Sequence, residues 1–153
     1  MASKKNPMDR ITIKGFRSIK NLDQFSLDSL NVLIGPNGAG KSNFVTFFRM
    51  LGELVEQRLQ VWTKKQGGAD RILSYGVKET SVLESYIKFG LNGYKFKLEA
   101  TAESDFTFTE ESLFFDGPHF GAKWIRFGSG HSESKLKEKY EKARKNGVED
   151  YVF

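Results

Sequence analysis

The sequence predicts a mixed α/β fold of the α+β kind. A strand–loop–helix unit comes first, an antiparallel β meander follows, and a helix lies near the C-terminal end. Three observations carry this expectation. Gly35-Pro36-Asn37-Gly38-Ala39-Gly40-Lys41-Ser42 fits the pattern G-x-x-x-x-G-K-[ST] and stands between an apolar run and a segment of helical period. From residue 83 to residue 127 apolar and polar side chains alternate, the period of a half-buried strand. Asn92-Gly93 and Gly128-Ser129-Gly130 interrupt that alternation with residues that favour turns.

Composition narrows the classes. With 153 residues the expectation is one domain with a modest core. Apolar residues at 39% and charged residues at 28% are usual for a soluble globular protein. There is no cysteine, which excludes disulfides, thiolate metal sites and a cysteine nucleophile. No apolar run reaches the length of a membrane span, and no apolar segment follows the basic start, so neither a span nor a secretory signal is read. A cytoplasmic location is expected. The net charge of +5 mildly favours a polyanionic partner.

The elements follow in order. Residues 1–8 read as a disordered tail, with Met8 as an alternative start. Arg10-Ile11-Thr12-Ile13-Lys14 alternates as a strand and continues to Ile19 through a bend at Gly15. Gln24-Phe25-Ser26-Leu27 is a second short strand. Leu30-Asn31-Val32-Leu33-Ile34 ends in three consecutive apolar residues, which predicts a strand buried on both faces. Residues 41–62 predict one helix, with Phe44, Phe48, Leu51, Val55, Leu59 and Trp62 as its stripe and Phe47, Met50 and Leu54 widening it. Residues 69–76 read as a connector with one helical turn.

The meander is expected to have about five strands. Leu83 to Phe89 and Tyr94 to Ala100 flank a turn at Asn92-Gly93. Phe106 and Phe108 mark the next strand. Leu113-Phe114-Phe115 and Lys123-Trp124-Ile125-Arg126-Phe127 complete the set. Ser132 or Ser134 then caps a helix that stops near Asn146-Gly147, with a thin stripe of Leu136, Tyr140 and Ala143. The expected units are a phosphate-loop core over 9–76, an antiparallel β subdomain over 77–130, and a basic helix with a truncated-looking end over 131–153.

The glycine-rich loop has a specific chemistry. Gly35, Gly38 and Gly40 let successive backbone N–H groups curl into an anion nest. A helix starting near Lys41 adds the positive end of its dipole. Lys41, the catalytic candidate, reaches toward β- and γ-phosphates. Ser42, the metal candidate, offers its hydroxyl to Mg²⁺, a cation that prefers hard oxygen ligands. ATP and Mg²⁺ are the expected cofactors, with Gly35, Pro36, Asn37, Gly38, Ala39, Gly40, Lys41, Ser42 and Asn43 as the binding residues.

The run from Asp9 to Ile19, then Leu30-Asn31-Val32-Leu33-Ile34, then the loop ending Lys41-Ser42-Asn43-Phe44 resembles the opening of ABC-class ATPases of the RecF/SMC/OLD type. Within that class it is most similar to the AAA-type ATPases of bacterial genome maintenance and phage defence. Gly67-Gly68-Ala69-Asp70-Arg71-Ile72-Leu73 and the segment around Asn92-Gly93-Tyr94 extend the resemblance, which covers about 9–117. The resemblance implies an ABC-like half-domain and ATP held between two heads, supplied by a homodimer or a partner chain. It also implies that Asn37 approaches the γ-phosphate and that Arg17 and Ser18 lie near the nucleotide. An exposed place on an edge strand is the competing role for Arg17.

The sequence also departs from that family. It contains no apolar strand ending in Asp-Glu, no Leu-Ser-Gly-Gly-type signature and no switch histidine. His119 and His131 fall in Gly/Pro/Ser-rich loops and are expected to be exposed. In the family those parts lie further along the chain, so the resemblance implies the N-terminal lobe of a longer ATPase, or a truncated relative of one, that binds ATP with little turnover by these residues alone. Without partner strands the 30–34 segment would present an open edge prone to association. An interaction module with a vestigial loop is the alternative. A kinase or GTPase would alternate strands and helices, against the antiparallel meander. Nucleic acid is an indirect partner: 135–145 is basic, but Glu138 and Glu141 interleave as on a solvated helix face.

Overall fold

The computed structural model describes residues 7–117 and 121–145. The tail through Asn6, Pro118, His119, Phe120 and everything from Asn146 onward, including the expected helix stop, lie outside the described residues.

β1 (Arg10–Phe16) and β2 (Ile19–Ser26) form a hairpin in which Phe16 pairs with Ile19. The bend expected at Gly15 therefore falls at Arg17-Ser18, and Arg17 takes a left-handed φ of 47°. β2 is longer than the four residues anticipated. β3 (Val82–Phe89), β4 (Asn92–Ala100), β5 (Phe106–Gly117) and β6 (Gly121–Gly128) follow in antiparallel succession. β1 also pairs antiparallel with β3, so the strands make one six-stranded sheet in the order β2-β1-β3-β4-β5-β6. This sheet crosses the boundary expected at 76.

Several expectations are corrected. The β3–β4 turn is Gly90-Leu91, because Phe89 pairs with Asn92; Asn92 and Gly93 already belong to β4. The segments around Phe108 and Phe114 are one strand of 12 residues, continuous through a register shift between Lys97 and Leu98 of its partner. The meander thus has four strands instead of about five. Residues 30–34 form no strand. They are irregular and exposed, with Leu30 at 79%, Val32 at 71% and Ile34 at 91%. A strand needs a neighbour to receive its N–H and C=O groups, and among the described residues none lies beside this run.

The predicted long helix is two. α1 (Lys41–Val55) ends at Glu56, and α2 (Leu59–Lys65) begins after a left-handed Gln57 at φ 57°. The Arg58 N–H bonds back to the Glu53 carbonyl at 2.8 Å, closing the first helix. Glu133 caps the second, accepting from the Leu59 and Gln60 N–H groups at 2.9 and 3.0 Å. The apolar period runs on through the break, since Leu59 and Trp62 are both buried. α3 (Ala69–Ile72) is the one-turn helix anticipated. α4 (Leu136–Lys145) starts behind Ser134, whose hydroxyl accepts from the Leu136 N–H at 3.1 Å.

The core lies between α1–α3 and one face of the sheet. Phe47, Met50, Leu51 and Leu54 are the buried stripe of α1, whereas Phe44 and Phe48 sit at its margin and Val55 is exposed. Phe47 meets Phe16 edge-on at 5.2 Å between centroids. Leu83 and Ile87 of β3, Tyr94, Phe96 and Leu98 of β4, and Phe106 and Phe108 of β5 supply the sheet side. Each such fully buried side chain contributes about 1.5–3 kcal/mol. Met8 packs against this core, so ordered structure begins before the first strand. His131 is not the exposed loop residue expected. Its side chain is 12% exposed, stacks on Phe108 at 4.8 Å and bonds the buried Glu111 at 2.7 Å. No helix among the described residues is long and apolar enough to cross a membrane.

Candidate phosphate-binding site

The loop before α1 is shaped by its glycines. Gly38 and Gly40 have φ of 86° and 90°, a left-handed backbone that side chains disfavour. A Cβ on Gly40 would also stand 3.0 Å from the Ser18 hydroxyl. The Ala39 N–H bonds the Pro36 carbonyl at 3.2 Å, closing a tight turn. Gly40 is the N-cap of α1 and no side chain caps that end. The first helical bond runs from the Phe44 N–H to the Gly40 carbonyl at 2.9 Å. The N–H groups of Lys41, Ser42 and Asn43 therefore have no partner within the helix and remain available to an anion.

Asn37, Gly38, Gly40, Lys41, Ser42 and Asn43 line one open concavity of about 320 Å³. That volume is at the small end for ligand sites and suits a polyphosphate better than a whole nucleotide. Lys41 Nζ donates to the carbonyls of Gly35 and Pro36 at 2.6 and 2.7 Å. Among the described residues no carboxylate pairs with it. A cation held only by neutral carbonyls at the positive end of a helix is suited to a phosphate. The Ser42 carbonyl accepts from the Thr46 hydroxyl at 2.7 Å, and the Ser42 hydroxyl makes no bond of its own among the described residues. No cluster of three or more His, Cys, Asp or Glu among the described residues is set to hold a metal. Mg²⁺ in this place fits a site of one protein oxygen, Ser42 Oγ, completed by phosphate oxygens and water.

The sequence candidates thus divide. Asn37, Gly38, Gly40, Lys41, Ser42 and Asn43 share the concavity. Gly35 and Pro36 hold the Lys41 ammonium, and Ala39 is exposed on the loop, its methyl 3.3 Å from where a Cβ on Gly35 would stand. Ser18 comes to the loop from the β1–β2 turn, its hydroxyl accepting from the Asn43 amide at 2.8 Å. Arg17 does not line the concavity. Its guanidinium donates to Gln66 Oε1 at 2.5 Å and lies 5.9 Å from the Phe16 ring centroid. Gln66 was not legible as a neighbour of Arg17, because the two are 49 residues apart and no motif links them.

A family model described as an AAA ATPase domain matches residues 8–146. The DNA replication and repair protein RecF of Erwinia tasmaniensis is 28% identical over 142 residues, covering 82% of this chain and 39% of that protein. The chain therefore spans well under half the length of this relative. No solved structure matches. Since the family model takes in both the sheet and the glycine loop, the chain belongs to the AAA ATPase domain family, and its likeness within that family is to the RecF/SMC/OLD type.

Proposed function

We propose that this chain binds Mg-ATP through residues 35–42 and forms one part of a composite ATP site. The observation that carries the reading is convergence. Three helix N–H groups without intrahelical partners, a lysine paired with no acid and a free serine hydroxyl meet at one concavity. Lys41 holds the β- and γ-phosphates, Ser42 takes the Mg²⁺, and Asn37 and Asn43 border the phosphates. Ser18 positions Asn43, and Arg17 reaches the nucleotide only after leaving Gln66.

The rest of the site lies outside these residues, further along a longer ATPase of which they are the N-terminal part, or on a second copy or a partner chain. The sequence holds no Asp-Glu strand to polarise water, so binding exceeds turnover for these residues alone. The RecF likeness supports a cytoplasmic role in DNA repair, and the family resemblance extends that range to phage defence.

Thermal unfolding with and without nucleotide tests this reading. A ligand at about 100 times its dissociation constant stabilises the native state by about 2.7 kcal/mol. Mg-ATP should raise the midpoint of the wild-type chain and leave Lys41→Ala unmoved. An equal rise in both would overturn the assignment.

A further inference from the structure

The sequence holds three Asn-Gly pairs, Asn37-Gly38, Asn92-Gly93 and Asn146-Gly147, the last of which lies outside the described residues. An asparagine followed by glycine is chemically labile. The backbone nitrogen of the glycine attacks the carboxamide carbon of the asparagine, with no Cβ on the glycine to stand in the way. A succinimide ring forms as that N–C bond is made and ammonia leaves. Water then opens the ring to aspartate or isoaspartate. A neutral amide thus becomes a carboxylate without an enzyme or an oxidant. In a folded chain the reaction needs an asparagine side chain and a glycine nitrogen that are free to meet.

The two described pairs differ in that freedom. Asn92 and Gly93 stand in β4, where Asn92 pairs with Phe89 and Phe115, and Gly93 with Lys88 and Phe114. Asn92 Oδ1 is buried, and the Tyr86 ring covers Gly93, 2.7 Å from where a Cβ would stand. Turning this backbone for the attack would break the ladder on both sides. Asn37 and Gly38 are instead the central residues of the turn closed by the Ala39 N–H on the Pro36 carbonyl at 3.2 Å. Asn37 is exposed, and neither its carboxamide nor the Gly38 N–H has a hydrogen-bond partner among the described residues. The space at Gly38 is open, with nothing within 4 Å of where a Cβ would stand. The surroundings also suit the charge that builds up. The attacking nitrogen gives up its proton and the amide oxygen turns into an oxyanion, while both residues line the concavity of Lys41 at the positive end of α1.

We propose that Asn37 is a site of spontaneous deamidation, and that the carboxylate so formed closes the loop to phosphate. The site stands on the loop geometry alone; the loss of binding rests on the ATP reading. A negative charge at position 37 faces the place where that reading puts the phosphates, and repulsion at such short range weakens a triphosphate about tenfold or more. Bound Mg-ATP has the opposite effect on the reaction. Its phosphates engage the N–H groups of the loop and fix the turn, so an occupied loop converts more slowly than an empty one. The pair therefore records how long the loop has stood empty.

Peptide mapping by mass spectrometry tests the proposal on the folded chain held at mildly alkaline pH, with heavy-oxygen water to mark residues converted during the incubation. Aspartate and isoaspartate should accumulate at position 37 while Asn92 stays intact, and Mg-ATP should slow the conversion at Asn37. In urea, with the sheet unfolded, both pairs should convert. By isothermal titration Asn37→Asp should bind Mg-ATP about tenfold or more weakly than the wild type, with circular dichroism as the control for folding. In aged wild-type chain the number of binding sites should fall in step with the converted fraction, which decides the case if Asn37→Asp does not fold. Conversion at Asn92 as fast as at Asn37, or an Asn37 that stays intact in the folded chain while it converts in urea, would overturn the site. Undiminished Mg-ATP binding by Asn37→Asp or by aged chain would overturn the loss of binding. Conversion confined to Asn37 in a chain that binds no Mg-ATP would support the site and overturn the ATP reading instead.

Discussion

Glu111 is buried on β5, and four donors converge on its carboxyl group. The Tyr94 and Ser134 hydroxyls lie at 2.8 and 2.6 Å, His131 Nε2 at 2.7 Å and the Lys135 N–H at 3.1 Å. Burial first, and then the charge of Glu111, hold the Tyr94 phenol well above its ordinary value of 10.0. The sign follows from linkage. Below that ordinary value both native and unfolded chains keep the proton. Above it the unfolded chain releases the proton while the native one retains it, so stability falls as pH rises. Urea midpoints between about pH 9 and 11 should decline for the wild type and decline less for Tyr94→Phe, which also loses about 1 kcal/mol at neutral pH. Parallel declines would contradict this account. None of the network was legible in the sequence. Tyr94 read only as the first residue of a strand and His131 as an exposed loop residue, because the bond joining His131 to Glu111 spans 20 residues and carries no motif. The 35–42 loop was legible because its chemistry is local: the same eight residues supply the glycines, the lysine and the helix start.

Among the elements, alternation located β3, β4 and β6 well, since each has one face on the core and one toward solvent. It failed where a bulge changes the phase. β5 read as two strands because its pairing with β4 slips between Lys97 and Leu98. The α1–α2 break was hidden for the opposite reason, as the burial of Leu59 and Trp62 keeps the helical period across it. What makes the break stable is distant in sequence. Glu133 caps α2, and the Gln57 amide bonds the Ser134 carbonyl at 3.0 Å. Glu133→Ala should therefore cost about 1 kcal/mol, with Glu133→Gln in between, measured by urea denaturation. A change within error for both would show that packing alone holds the α1–α2 corner.

For the whole molecule, the exposed 30–34 run is the feature whose structure the sequence pattern misassigned. Its apolar pattern is that of a central strand, yet its neighbours are not among the strands of this sheet. Leu30, Val32 and Ile34 stand open to solvent just before the phosphate loop. Light scattering should show association that grows with concentration, and Val32→Asp with Ile34→Asp should reduce it. A monodisperse wild-type chain at high concentration would argue against an unfilled edge there. The same geometry explains why the loop, though formed, has one open side.

Under the proposed function this loop binds a nucleoside triphosphate through Lys41. Isothermal titration of Mg-ATP into the wild-type chain and into Lys41→Ala measures it most directly. The wild type should show saturable binding at one site per chain, and the variant should lose at least about 1.4 kcal/mol of binding free energy, a factor of ten. Equal affinity in the two proteins, or no binding to a folded wild-type chain, would contradict it.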